Sequence, residues 1–228
     1  MQAQRVGRGA TWKWGSTEAV RTEFLDAARK VFAKRGFADA SVTEVVDEAG
    51  ASVGSLYHHF GSKNDLFIAL WERHHLEQQA IAADAVAHAR AQGTTEPFDL
   101  FLAGSIAYLG ATWPRRDLVK IFSLGDTPSG FQAQQRKGSR DWIATNFRLL
   151  GADDEAVQRA LVFLATSFLG EARREIANAR SAKAARELVA AMTEVLERMR
   201  PIFGATLADR HSAANAPDVA ISDASDKD

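Results

Sequence analysis

The chain of 228 residues contains no cysteine. Disulfides and thiolate metal sites are therefore excluded, and no redox compartment is marked. There is no excess of charge: 28 Lys and Arg face 29 Asp and Glu, for a formal net charge of -1. Wholesale coating of a polyanion is excluded, so any nucleic-acid contact must come from local placement of charge. No apolar run approaches the ~18 residues of a membrane span. No secretory apolar core follows the start, because Arg5, Arg8 and Lys13 interrupt residues 1–16. A cytoplasmic location is the resulting expectation. Signatures of catalysis are missing too, with neither a G-x-S-x-G elbow nor a G-x-x-x-x-G-K loop. Glu72 and His75 form one E-x-x-H, whereas a di-iron bundle needs two such motifs and two further glutamates. No internal repeat is found. Neither a metal, nor a cofactor, nor an enzymatic activity is expected.

What is present is ordinary in bulk and specific in one place. At 46% hydrophobic and 25% charged, the chain has the composition of a globular protein with ample core. The specific place is residues 41–63, SVTEVVDEAGASVGSLYHHFGSK. Ser41 and Glu44 make an S-x-x-E capping box that starts a helix at Val42. Val42, Val45, Val46 and Ala49 form its apolar stripe, and Gly50 supplies the left-handed stop. Ser52 then caps a second helix with Leu56 and Phe60 inward, leaving Val53, Ser55, Tyr57, His58 and His59 outward. Two short helices around a glycine-bearing turn form a helix-turn-helix, whose second helix enters the major groove of DNA.

Helices this short are marginal alone, below the ~12–15 residues needed in water, so a third wall is required. The spacing predicts it over 17–35, with Phe24, Ala27, Ala28, Val31 and Phe32 on one face and Gly36 as the stop. Phe37 and Val42 are expected to close the same core. Arg21 lies near the start of this helix, where a solvated position is expected over a phosphate contact. Ser62 and Asp65 start a long helix that runs to about Ala91, ending at Gly93 and Pro97. Further helices are predicted at 97–111 and 129–150, around a stretch broken by Pro114, Gly125 and Pro128. The last two, 152–179 and 182–202, carry enough apolar surface to be covered on more than one side, the second stopping near Pro201. The expected fold is all-α: an N-terminal three-helix helix-turn-helix domain and a larger C-terminal helical domain. Boundaries are set at 1–16 (a flexible basic arm), 17–63, 64–203, and 204–228 (a disordered acidic tail).

The runs FLDAARKVFAKRGF (24–37), SVTEVVDEAG (41–50) and GSLYHHFGSKNDLF (54–67) together resemble the DNA-binding domain of the TetR family of bacterial transcriptional repressors. The resemblance covers roughly Val20 to Leu70, with L-Y-x-H-F-x-x-K at 56–63 its core. It implies that Thr43, Ser52, Val53, Ser55, Tyr57, His58 and Lys63 face a double-stranded DNA operator. Hydroxyls and the Tyr57 phenol suit phosphate oxygens. Lys63 is expected to neutralise one phosphate at a helix N-terminus. Val53 offers only apolar contact, for instance with a thymine methyl. With no Arg, Asn or Gln on this helix, sequence discrimination is expected to lean on Thr43, the N-terminal arm and DNA shape. His59 is expected to pack rather than to touch DNA.

The same resemblance implies a homodimeric repressor of bacterial cytoplasm, released from a palindromic operator by a small apolar or aromatic effector. The two-fold interface is expected at helices about 153–179 and 182–202. Candidate effector contacts are Trp71, His74, His75, Phe101, Tyr108, Phe122, Trp142 and Phe163. Effector and DNA are expected to favour different half-site spacings. A DNA-binding activator without inducer release, and a helical ligand carrier or enzyme, are the alternatives.

Overall fold

In a computed structural model, residues 17–208 are described, and all regular structure among them is helical. The helices are α1 (Thr17–Asp39), α2 (Val42–Ala49), α3 (Val53–Phe60), α4 (Lys63–Ala91), α5 (Pro97–Gly110), α6 (Arg116–Leu124), α7 (Phe131–Leu150), α8 (Ala156–Asn178) and α9 (Ala182–Ala208). A 3₁₀ turn at Trp113–Arg115 precedes α6. The expected arm at 1–16, and the expected tail beyond 208, lie outside the described residues. No helix among the described residues is long and apolar enough to cross a membrane.

The described residues divide into two compact units, one up to 74 with 121–131, the other 75–120 with 132 onward. The first boundary thus falls eleven residues beyond the 63/64 division expected from sequence, and a distant segment joins the first unit. Packing explains both. Phe67 on α4 meets Phe32 at 5.5 Å, Phe37 at 5.0 Å, Phe122 at 5.3 Å and Phe131 at 5.0 Å. These separations are those of favourable tilted and edge-to-face ring pairs. Leu66, Phe67 and Leu70 are wholly buried, so the first two turns of α4 are wall to α1–α3. Gly36 interrupts α1 with φ 80° and ψ 174°, a left-handed stop that lets Phe37 fold back onto this core.

The second unit centres on Phe98, Phe101, Leu109, Val162, Ala165, Leu169, Ile176, Leu196 and Phe203. Here the sequence expectation needs correction, because α9 does not stop at Pro201 but continues to Ala208. Proline inside a helix costs about 3 kcal/mol through its missing donor and ring clash. Burying a phenylalanine returns about 1.5–3 kcal/mol, and Phe203 is fully buried, 5.0 Å from Phe98 and 6.2 Å from Phe101. Arg200 adds an ion pair to Asp99 at 2.7 Å and lies over the Phe98 ring at 4.8 Å. Together they hold the last turns of α9 on α5, so residues 204–208 are helix rather than the start of a tail.

Candidate nucleic-acid interface and ligand cavity

The α2–α3 pair is built from local chemistry. The Glu44 amide donates to Ser41 Oγ at 3.1 Å, and the Ser41 amide donates to Glu44 Oε2 at 3.0 Å. The box is therefore closed in both directions. The Ser41 amide bond also holds the Glu44 carboxyl below its usual range, aided by Arg35. At the other end Gly50 is left-handed at φ 62°, with the Ala51 amide on the Val46 carbonyl at 2.9 Å and the Gly50 amide on Asp47 at 3.2 Å. This is the 6→1 and 5→2 pattern of a Schellman stop. Ser52 Oγ accepts from the Ser55 amide at 3.2 Å, which starts α3 and leaves the Ser52 hydroxyl proton available outward.

Leu56 and Phe60 anchor α3 inward, fully or nearly fully buried. The opposite side is a continuous open strip: Val53 is 41% exposed and Tyr57 48% exposed, with Ser52 and His58 exposed and Ser55 half-buried. Thr43 is exposed in the first turn of α2. His59 turns inward, its ring 6.1 Å from that of Phe24. The strip thus holds five of the seven residues expected at DNA, and Thr43 is exposed separately on α2.

Lys63 is the seventh, and the structure gives it a different task. Its ammonium donates to the carbonyls of Ala40 at 2.8 Å, Phe37 at 2.9 Å and Ala38 at 3.3 Å, and sits 4.5 Å from the Phe37 ring centroid. Three donors meet three carbonyls at the end of α1, so the ammonium serves as a clasp and not as a free cation for phosphate. Arg21 also departs from a solvated position. Its guanidinium donates to the His59 carbonyl at 2.6 Å and covers the Phe60 ring at 4.4 Å. It thereby satisfies a carbonyl in the last turn of α3, where a cation complements the helix dipole.

The second unit contains a cavity of about 530 Å³ between α4, α5, α7 and α8, within the usual range for small-molecule sites. Of the expected effector contacts, Phe101, Tyr108 and Trp142 line it. Tyr108 and Trp142 meet edge-on at 5.2 Å, and the His75 ring lies 6.3 Å from Trp142. Burial holds the His75 imidazole below its ordinary pKa, with Asp141 opposing the shift and Arg173 adding to it. The other expected contacts go elsewhere. Trp71 packs on Phe131 at 5.8 Å and His74 stacks on Phe122 at 5.8 Å, all in the core of the first unit. Phe163 is half-exposed on α8. Aromatic type alone did not separate core rings from cavity rings.

Sequence reasoning missed the rest of the lining. Ala82, Ala83, Ala87, Gly104 and Gly170 make the room, while Gln79, Arg90, Asn146, Arg148 and Thr166 supply polar groups. A Cβ on Gly104 would stand 3.1 Å from Val86, whereas one on Gly170 would meet nothing within 4 Å. Two glycines inside helices cost about 1 kcal/mol each relative to alanine, and that cost was the available signal. Among the described residues no His, Asp and Glu cluster could hold a metal ion.

Comparison with known proteins bears on the first unit. Residues 24–70 match the family model described as bacterial regulatory proteins, tetR family. The HTH-type transcriptional repressor AcnR of Corynebacterium glutamicum is 44% identical over 50 residues, 22% of this chain and 27% of that protein. The HTH-type transcriptional activator FasR of Mycolicibacterium smegmatis is 44% identical over 54 residues, 24% of this chain and 25% of that protein. The chain thus aligns with about a quarter of the length of these curated relatives. A solved TetR-family transcriptional regulator from Pectobacterium atrosepticum superposes over 80% of this chain and 93% of its own, with TM-score 0.53 and 26% identity. Each of these relatives is a transcriptional regulator.

Proposed function

We infer that this chain, whose residues 24–70 match the family model of bacterial regulatory proteins, tetR family, is a ligand-responsive, DNA-binding transcriptional regulator. The observation that carries this reading is the open strip on α3. A short helix that buries Leu56 and Phe60 still leaves Val53 and Tyr57 in solvent, as a groove-reading helix must. Tyr57, Ser52 and Ser55 fix register on phosphates. Thr43, His58 and Val53 reach base edges, and Lys63 and Arg21 hold the helices in place behind them.

The regulator works in the cytoplasm as a homodimer on a palindromic operator, with half-sites one helical turn, about 34–36 Å, apart. The interface is formed by α8 and α9, where Val157, Phe163, Leu164, Val195 and Ile202 are exposed in the single chain. Leu188, Met192, Val195, Met199 and Ile202 recur at alternating steps of four and three, a heptad spacing; Leu188, Met192 and Met199 also pack on this chain's own core, which leaves Val195 and Ile202 outermost. A small, largely apolar effector occupies the cavity of the second unit. Helix α4 supplies Leu66, Phe67 and Leu70 to the first core and Ala82 and Val86 to the cavity lining. Effector and DNA thus bias one element, and binding of one shifts the population away from the state that binds the other. Repression is the primary reading. Activation is the second, favoured by the similarity of the same segment to an activator.

The test is a titration of the full chain against duplex DNA flanking its own gene, at low and at physiological salt, with an unrelated duplex of equal length. Tight binding to the flanking duplex, falling steeply with salt, supports the reading. Equal affinity for both duplexes overturns it. Reporter output after deletion of the gene decides the sign of regulation.

A further inference from the structure

We propose that the cavity of the second unit takes an amphipathic anion, an apolar body with a carboxylate-like head held by Arg90 and Arg148. This rests on the reading of the cavity as the effector site and names the class of effector. The lining carries charge of one sign only, since Arg90 and Arg148 belong to it and no Asp or Glu does. Two other arginines of this unit are neutralised: Arg115 pairs with Glu77 at 3.5 Å and Arg200 with Asp99 at 2.7 Å. The Arg148 guanidinium instead donates to the Thr145 hydroxyl at 3.3 Å, and no acid pairs with either cavity arginine among the described residues. Two guanidiniums at one apolar cavity present the planar fork that matches an oxyanion.

The helix register separates the head from the body. His75 lies beside Trp142, and Trp142 beside Tyr108, which fixes the aromatic end. Asn146 Nδ2 donates to Thr166 Oγ1 at 2.9 Å further along α7. Along α4 the lining runs from Gln79 through Ala82 and Val86 to Arg90, about 16 Å at the helical rise. Arg90 and Arg148 therefore lie toward the end away from the aromatic pair. Between them the walls are Ala82, Ala83, Val86, Phe101, Leu149 and Leu169. The polar groups in this middle stretch are already engaged, Asn146 with Thr166 and Ser105 with the Phe101 carbonyl at 2.7 Å. They make few demands on a bound molecule. At the aromatic end Asp141 and Arg173 both act on His75, and Arg173 lies 6.0 Å from the Tyr108 ring centroid; neither belongs to the lining, whose only charged groups are Arg90 and Arg148.

The test uses the full chain and three probes of one chain length: decanoate, decan-1-ol and decylammonium, each followed by titration calorimetry. Decanoate is expected to bind at least about tenfold tighter than the other two, as charge-assisted bonds to one or two guanidiniums require. The double change Arg90→Gln with Arg148→Gln, at two exposed side chains, is expected to remove that preference while leaving decanol binding unchanged. Gly170→Leu, whose side chain enters open space at the lining, is expected to block all three probes. Equal or tighter binding of decanol or decylammonium overturns the proposal. So does a decanoate preference that survives the double change, or absence of binding by all probes. Binding to the flanking duplex is measured on the same samples. Specific duplex binding without probe discrimination sinks the anionic class alone. Loss of specific duplex binding in the unliganded protein sinks the regulator reading instead, while a carboxylate preference would still stand as a property of the cavity.

Discussion

The two units of this chain use their side chains in different ways. In the first, nearly every helix end is closed by a neighbour in sequence or by one long cation: Ser41 with Glu44, Ser52 with Ser55, Ser62 with Asp65, Arg21 on α3 and Lys63 on α1. On the proposed function this unit is the mount, with its open strip on the outside. In the second, helices with internal glycines and alanines leave about 530 Å³ unfilled, and arginines stand at that space without acids. A mount must be the same with and without DNA. On the proposed function the second unit is the sensor, and a cavity is what lets an effector bias its helices.

The largest effect that can break this comparison is at Phe203. If the second unit is held by ring packing across α5 and α9, Phe203→Ala should cost about 3–5 kcal/mol of stability, as for other buried aromatics. Chemical denaturation measures it. A loss below about 1 kcal/mol would mean that α9 beyond Pro201 is not anchored as described, and that the cavity's surroundings are looser still.

Next in size is the clasp. Lys63→Ala leaves three carbonyls at the end of α1 without their donor and should destabilise the first unit by about 1–3 kcal/mol. Tyr57→Phe, at a half-exposed ring, should leave stability within about 0.5 kcal/mol and weaken all duplexes about equally. Thermal unfolding and duplex titration of both variants separate the roles. An unchanged melting curve for Lys63→Ala, with uniformly weaker DNA binding, would restore the phosphate role that the sequence suggested. Ser41→Ala, which removes one side of the capping box, should cost about 1 kcal/mol and is read by the same unfolding measurement.

The contrast also explains what could be read from the sequence. Caps and stops act over three or four residues, so Ser41, Glu44, Gly50, Ser52 and Ser62 announced α2, α3 and the start of α4 without any tertiary knowledge. The outward strip followed from helical spacing once Leu56 and Phe60 were placed inward. Long-range pairings left no such trace. Nothing near Lys63 indicates that three carbonyls 23–26 residues earlier in the chain will accept its hydrogen bonds. Trp71, His74 and Phe122 were indistinguishable by type from Tyr108 and Trp142, and only packing assigned them to a core and the others to a cavity. Pro201 looked like a stop because local rules make it one, and the burial of Phe203 overrode them.

The smallest expected effect is at the aromatic end of the cavity and concerns pH. Burial holds the His75 imidazole below the ordinary histidine value, with Arg173 adding to the shift and Asp141 opposing it. Between that lowered value and about 6.5, the unfolded chain binds a proton that the folded chain refuses. Stability from this site is therefore present above about 6.5 and is lost as pH falls through the folded value. Unfolding curves between about pH 7.5 and about pH 5 should show the second unit weakening on acidification, and His75→Gln should flatten that slope. An unchanged slope in the variant would place the proton uptake on another group and leave His75 with a packing role beside Trp142. If the slope flattens, the second unit carries at His75 a titratable group whose neutral form its packing requires.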